Sequence, residues 1–225
     1  TFTHAMGSPV EVEFAVDMQD YKNPIFYILQ IKHMIKQEAD FTLETNELKQ
    51  DEMLLMTDIG LGNGQIDDIC DIIYTDMKVF DRGRTPEMTD ELEFFNRKLK
   101  KAGRKYILIG PGRWGTHDRF LGIPVRWSQI SGAGAIVETD MSDIFVDASQ
   151  GSHFFHNITS MKIGYFTLRK QKAFHHLDTD WLNKQPIEER TEFFVHVRTD
   201  SPMVVQMDGR KGLCVIKLPN NQVTR

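Results

Sequence analysis

The stretch that most narrows the choice of fold is a helix pattern enclosed by two apolar runs. Thr85 stands where an N-cap would, Pro86 falls at the first helical position, Met88, Leu92, Phe95 and Leu99 recur at helical spacing, and Gly103 supplies the stop. Ahead of it Ile69 to Tyr74 is a strand-like run, and behind it lies a second, Tyr106-Ile107-Leu108-Ile109. Strands separated by helices or long loops favour an α/β layer arrangement with a mixed or parallel sheet and flanking helices. Lys98, Lys100 and Lys101 close the helix and complement the negative end of its dipole, which makes them a solvated terminus before a ligand site.

The remaining patterning extends that sheet. Met53 to Met56 is an apolar run followed by the turn Gly60-Leu61-Gly62-Asn63-Gly64, where three glycines in five residues imply positive φ or close backbone approach. Ala135 to Glu138 and Gly164 to Leu168 are further strands. The tail reads as Phe193 to Arg198, Met203 to Met207 and Leu213 to Leu218, with Asp208-Gly209 turning between the last two, so the fold is expected to finish antiparallel. At the other end, residues 1–35 form a two-strand unit, the polar stretch 36–52 reads as a linker with a short helix around Glu44 to Asp51, and 53–225 is the α/β domain.

Composition excludes several classes. A net charge of -5 and a pI near 5.9 argue against a nucleic-acid surface, which requires a clustered basic face. Two distant cysteines, Cys70 and Cys214, are no disulfide framework and suit buried thiols in a reducing cytoplasm. No apolar run reaches the roughly 18 residues of a membrane helix, and no secretory leader is visible. The chain has no initiator methionine and enters a strand pattern almost at once, which reads as a piece of a longer polypeptide.

Chemistry is suggested in three places. In the opening strands, Glu11 and Glu13 share one face of the first run, and Gln30 and Lys32 share one face of the second. Two carboxylates, a carboxamide and an ammonium converging there suit a metal-bound polyphosphate, since Mg²⁺ takes hard oxygen ligands and completes its shell with water and phosphate. The same spacing equally describes a hairpin with one wet face. The second place is Gly110-Pro111-Gly112-Arg113-Trp114-Gly115-Thr116-His117-Asp118-Arg119, a glycine-rich turn after a buried strand. Its backbone N–H groups could hold an anion with Arg113 and Arg119 adding bidentate contacts and Trp114 walling the site, or it is a tight turn packed by Trp114. The third is Ser149 to Ser160, where His153 beside a glycine turn suits a base or phosphoryl acceptor, although most lone histidines are structural. His175 and His176 read as ordinary loop residues.

These residues resemble a known family. Gly7 to Ala15 followed by Tyr27-Ile28-Leu29-Gln30-Ile31-Lys32 is similar to the closing strands of the ATP-grasp domain of phosphoenolpyruvate synthase and pyruvate phosphate dikinase. The resemblance implies a metal-ligand carboxylate at Glu13, an acidic neighbour at Glu11 and the conserved glutamine at Gln30, with Lys32 standing where the family has arginine. It implies Mg²⁺ and ATP as cofactors, and nucleotide and small phosphate compounds as ligands. It also implies an ATP-grasp domain upstream in the same polypeptide. Gly151-Ser152-His153 resembles the family's swivelling phosphohistidine domain, with His153 as carrier, although Phe154 and Phe155 replace its small residues. The expectation is therefore the C-terminal part of a cytoplasmic ATP-dependent phosphotransferase, in which an isolated fragment is inactive. The alternatives are a non-catalytic anion-sensing module centred on Arg113, Arg119 and Arg126, and a homo-oligomerisation domain.

Overall fold

The computed structural model describes residues 10–33, 41–141 and 163–219, with Phe2 and Ala5 besides. Two compact units divide the chain, Thr1–Ala39 and Asp40–Arg225. In the first, β1 (Val10–Asp17) pairs antiparallel with β2 (Ile25–His33), and Pro24 sits just ahead of β2, where no ladder N–H is required. The pairing is broken once, between Glu13 opposite Gln30 and Phe14 opposite Ile28, so Leu29 is the extra residue of a bulge. Beyond it Phe14, Val16, Phe26 and Ile28 share one face, where the Phe14 and Phe26 rings stack at 4.6 Å. That apolar face is open, with Phe14 54% and Phe26 57% exposed.

The second unit holds β3 (Met53–Thr57), β4 (Gly60–Leu61), β5 (Gly64–Thr75), α1 (Met88–Lys101), β6 (Tyr106–Pro111), β7 (Arg113–Trp114), β8 (Gly122–Ile123), α2 (Trp127–Ile130) and β9 (Ala133–Thr139). It continues with β10 (Gly164–Thr167), β11 (His176–Leu177), α3 (Thr179–Lys184), β12 (Ile187–Arg190), β13 (Phe194–Asp208) and β14 (Leu213–Lys217). One mixed sheet runs β11-β3-β14-β13-β5-β6-β9-β10-β4, with β12 on β13. Its centre, β5-β6-β9-β10, is parallel, and β13, β14, β3 and β4 join antiparallel. The α/β class and the antiparallel finish thus agree with the patterning, in a sheet far richer in strand than in helix. The helix stripe of α1 buries Leu92, Phe95 and Leu99 on one face against Leu108, Ile136 and Tyr165. The opposite face, with Ile72, Ile107 and Val137, is covered by Trp181 of α3.

β4 ends this order and β3 lies one strand in from its other end, yet only Asp58 and Ile59 separate the two in sequence. The sheet therefore curls until its ends meet. At the seam the Thr57 hydroxyl donates to the Thr167 carbonyl at 2.6 Å, and the Thr167 N–H donates to the Ile59 carbonyl at 2.8 Å. Gly60 is required there, because a Cβ would stand 2.3 Å from Cys214 Sγ.

Three local expectations change. The stretch around Glu44 to Asp51 forms two 3-10 turns, Thr45–Glu47 and Gln50–Glu52, and belongs to the second unit. Its anchor is Leu43, buried against Met53 and Val215, whose N–H donates to Asp208 Oδ2 at 3.1 Å. Thr85 is no cap: its backbone is already helical, and its hydroxyl donates to the carbonyls of Arg119 at 2.8 Å and Arg82 at 3.3 Å. The runs from Phe193 and from Met203 form one strand, β13, whose pairing with β5 is irregular between Arg198 and Met203.

Candidate functional site

The hairpin register brings the first set of candidate residues together. In the backbone register Glu11 stands opposite Lys32 and, two residues further along, Glu13 stands opposite Gln30. The bulge falls just after them, so the hairpin has a polar end and an aromatic end, and the polar pairs keep strict alternation. Both Glu13 and Gln30 are exposed. One carboxylate and a carboxamide oxygen across a narrow gap are hard donors of the kind Mg²⁺ accepts when phosphate and water supply the rest. Among the described residues no group of three or more His, Cys, Asp or Glu could hold a metal by itself.

The glycine-rich turn has a different logic from an anion nest. It leaves β6 at the C-terminal ends of the parallel strands, the crevice where open α/β sheets bind ligands. Its successive N–H groups are already donating: Gly112 to Thr139 O, Arg113 to Leu121 O and Gly115 to Ile123 O, each at 2.9 Å, and Trp114 to Glu138 Oε1 at 3.1 Å. The carboxyl group held by this turn is the protein's own buried Glu138, which also accepts from the Tyr165 hydroxyl. Trp114 does not wall a cleft. It is fully buried, its indole N–H donates to Val137 O at 3.0 Å, and its ring lies so close over Gly110 that a Cβ there would stand 2.4 Å from it. The turn amides are thus committed within the chain, and any anion at this turn would be held by side chains.

The three arginines stand in different local settings. Arg113 is half-buried on β7, paired with β8. The Arg119 guanidinium lies over the Phe120 ring at 4.9 Å, in the loop tied down by Thr85. Arg126 is exposed ahead of α2, and its N–H donates to Gln129 Oε1 at 2.9 Å. His153 and its Gly-Ser turn lie outside the described residues.

Two polar clusters escaped the sequence reading. Under the end of α1, buried Asp71 accepts from His196 Nε2 at 2.7 Å and from Arg104 through both Nε, at 3.0 Å, and the terminal nitrogen. Burial works to raise the Asp71 carboxyl, but the His196 and Arg104 donors outweigh it and hold the group below the usual carboxylate range. The available signal was a carboxylate inside the apolar run Ile69 to Tyr74. At the seam, His175 accepts the Arg169 N–H on Nδ1 at 2.7 Å and meets Asp58 Oδ1 through Nε2 at 2.7 Å. Its side chain is 2% exposed, which overturns its reading as an ordinary loop residue.

Comparison with family models, with curated proteins and with solved structures finds no match to this chain. Among the described residues no helix is long and apolar enough to cross a membrane.

Proposed function

We propose that this chain is the C-terminal part of a cytoplasmic, ATP-dependent phosphotransferase resembling phosphoenolpyruvate synthase. The observation that carries the reading is the hairpin register, which sets Glu13 opposite Gln30 and Glu11 opposite Lys32 across the two strands. In this reading Glu13 is a ligand of the Mg²⁺ that accompanies ATP, Gln30 steadies the same phosphates, and Mg²⁺ supplies charge neutralisation as a phosphoryl group leaves. The open apolar face behind these residues supports a hairpin that belongs to a larger nucleotide-binding sheet, since two strands alone are marginal in water. The curled α/β unit takes the place of a swivelling domain, and His153 is the phosphoryl carrier. The reading of Arg113, Arg119 and Arg126 as one anion sensor loses support, because the turn amides are committed and Arg119 lies on Phe120.

The experiment is incubation of the full-length polypeptide with Mg²⁺ and ATP labelled in the γ or β phosphate. Acid-labile protein label that disappears in His153→Ala supports the reading. Absence of label, or label indifferent to that substitution, removes the carrier role.

A further inference from the structure

At the seam where the sheet closes on itself lies one imidazole whose side chain is almost wholly buried, His175. Arg169 N–H can only donate, so Nδ1 of His175 must be its acceptor at 2.7 Å. Asp58 is ionised, because Lys172, at 2.8 Å, and His175 hold its carboxyl below the usual range. It can therefore only accept, and the 2.7 Å contact is a hydrogen bond when Nε2 carries the proton, the Asp58 N–H approaching the same nitrogen from a longer 3.5 Å. The Thr57 oxygen, 3.3 Å from Nε2, also lies on that side, its own proton going to Thr167 O. In the tautomer that these partners select, Nδ1 accepts and Nε2 donates, so both nitrogens are occupied. Among the described residues the neighbouring charged and titratable groups include the Arg169 guanidinium, paired with Asp140 at 3.0 Å, and His176, whose Nδ1 meets Gln50 Nε2 at 2.8 Å.

An imidazolium has two donors and no acceptor. We propose that His175 is a proton-operated latch: a second proton keeps and strengthens the Asp58 contact but turns Nδ1–H against the Arg169 N–H and releases that amide. The two contacts respond in opposite senses, so the latch exchanges one restraint for another at the seam. Its consequence falls on the turn after β10. There the Arg169 guanidinium and the Lys170 N–H, the latter at 2.8 Å, hold Asp140 at the end of β9.

The test is amide hydrogen exchange at Arg169, corrected for the intrinsic pH dependence of exchange, alongside the ¹⁵N shifts of the His175 ring. The expected result is that exchange at Arg169 accelerates at least tenfold as the ring gains its second proton, with Thr167 unchanged. In His175→Gln the dependence disappears. The latch is overturned if Arg169 stays protected while the ring is doubly protonated, if the ring stays neutral down to the pH at which the unit unfolds, or if His175→Gln keeps the wild-type profile.

Discussion

Replacing Asp71 by Asn tests the account of the second unit most sharply. The carboxylate is almost wholly buried, and its side chain serves both His196, with no exposed surface, and Arg104, 24% exposed. Asn keeps the shape and one acceptor oxygen, which at the Oδ1 position still takes His196 and the Arg104 terminal nitrogen, but it sets an amide N–H against Arg104 Nε where Oδ2 stood and removes the charge. Breaking a buried ion pair by changing one partner costs about 3–5 kcal/mol, and the partial access of Arg104 to water places this substitution near the lower bound, about 3 kcal/mol. With a urea m-value of about 2 kcal/mol/M for a unit of this size, the midpoint falls by about 1.5 M. Fluorescence follows it directly, since all three tryptophans, Trp114, Trp127 and Trp181, lie in the second unit. The pH dependence supplies the control. A carboxyl held below its usual value in the folded state stabilises above its unfolded pKa, about 3.9, and that contribution is lost as pH falls through the folded value. The gap between wild type and Asp71→Asn should be full at pH 7 and narrow below about pH 4. A difference under about 0.5 kcal/mol at pH 7, or one undiminished at pH 3, refutes the reasoning.

Other expectations follow from single contacts. Gly110→Ala forces a Cβ into the Trp114 ring and should destabilise by about 1–3 kcal/mol, read as a lowered melting temperature with a shifted tryptophan emission; an unchanged melt would mean that the turn is loose. Cys214 is buried and its thiol is pushed up to about 12, first by burial and then by Asp208, so in the folded protein at pH 8 a thiol reagent should modify the partly exposed Cys70 and spare Cys214 until unfolding. Equal labelling of both by mass spectrometry contradicts that. The open aromatic face of the hairpin should bind a hydrophobic dye, and Phe14→Ser or Phe26→Ser should lower the dye signal without moving the tryptophan melt. A dye signal indifferent to both changes would show that the face is covered.

Local pattern told most where it was periodic. The stripe Met88, Leu92, Phe95 and Leu99 and the apolar runs around it were legible because helix and strand periods differ and each buries a regular face. The seam was not legible. It depends on β3 and β4 joining distant parts of one sheet, a fact about curvature that no stretch of sequence carries. Leu43 was read as part of a linker because its partner, Asp208, lies 165 residues away. Thr85-Pro86 has the composition of a helix start, but the hydroxyl had a carbonyl acceptor at Arg119 that only the folded loop supplies. In the glycine-rich turn the residue types suggested a bound anion, but the turn donates to the protein's own Glu138, visible beforehand only as the polar end of an apolar strand. The hairpin was the most readable candidate site, since alternation alone put each pair of residues on a common face, and register then set the pairs opposite one another.

That register leads to the most direct test of the proposed function. Isothermal titration of the full-length polypeptide with ATP, in Mg²⁺ and again in excess chelator, separates a metal ligand from a general packing effect. The account predicts that Glu13→Gln weakens binding of Mg-ATP at least tenfold while changing metal-free ATP binding little, and that Gln30→Ala weakens both. Wild-type Mg-ATP affinity in Glu13→Gln, or no ATP binding by the unaltered protein, would contradict it.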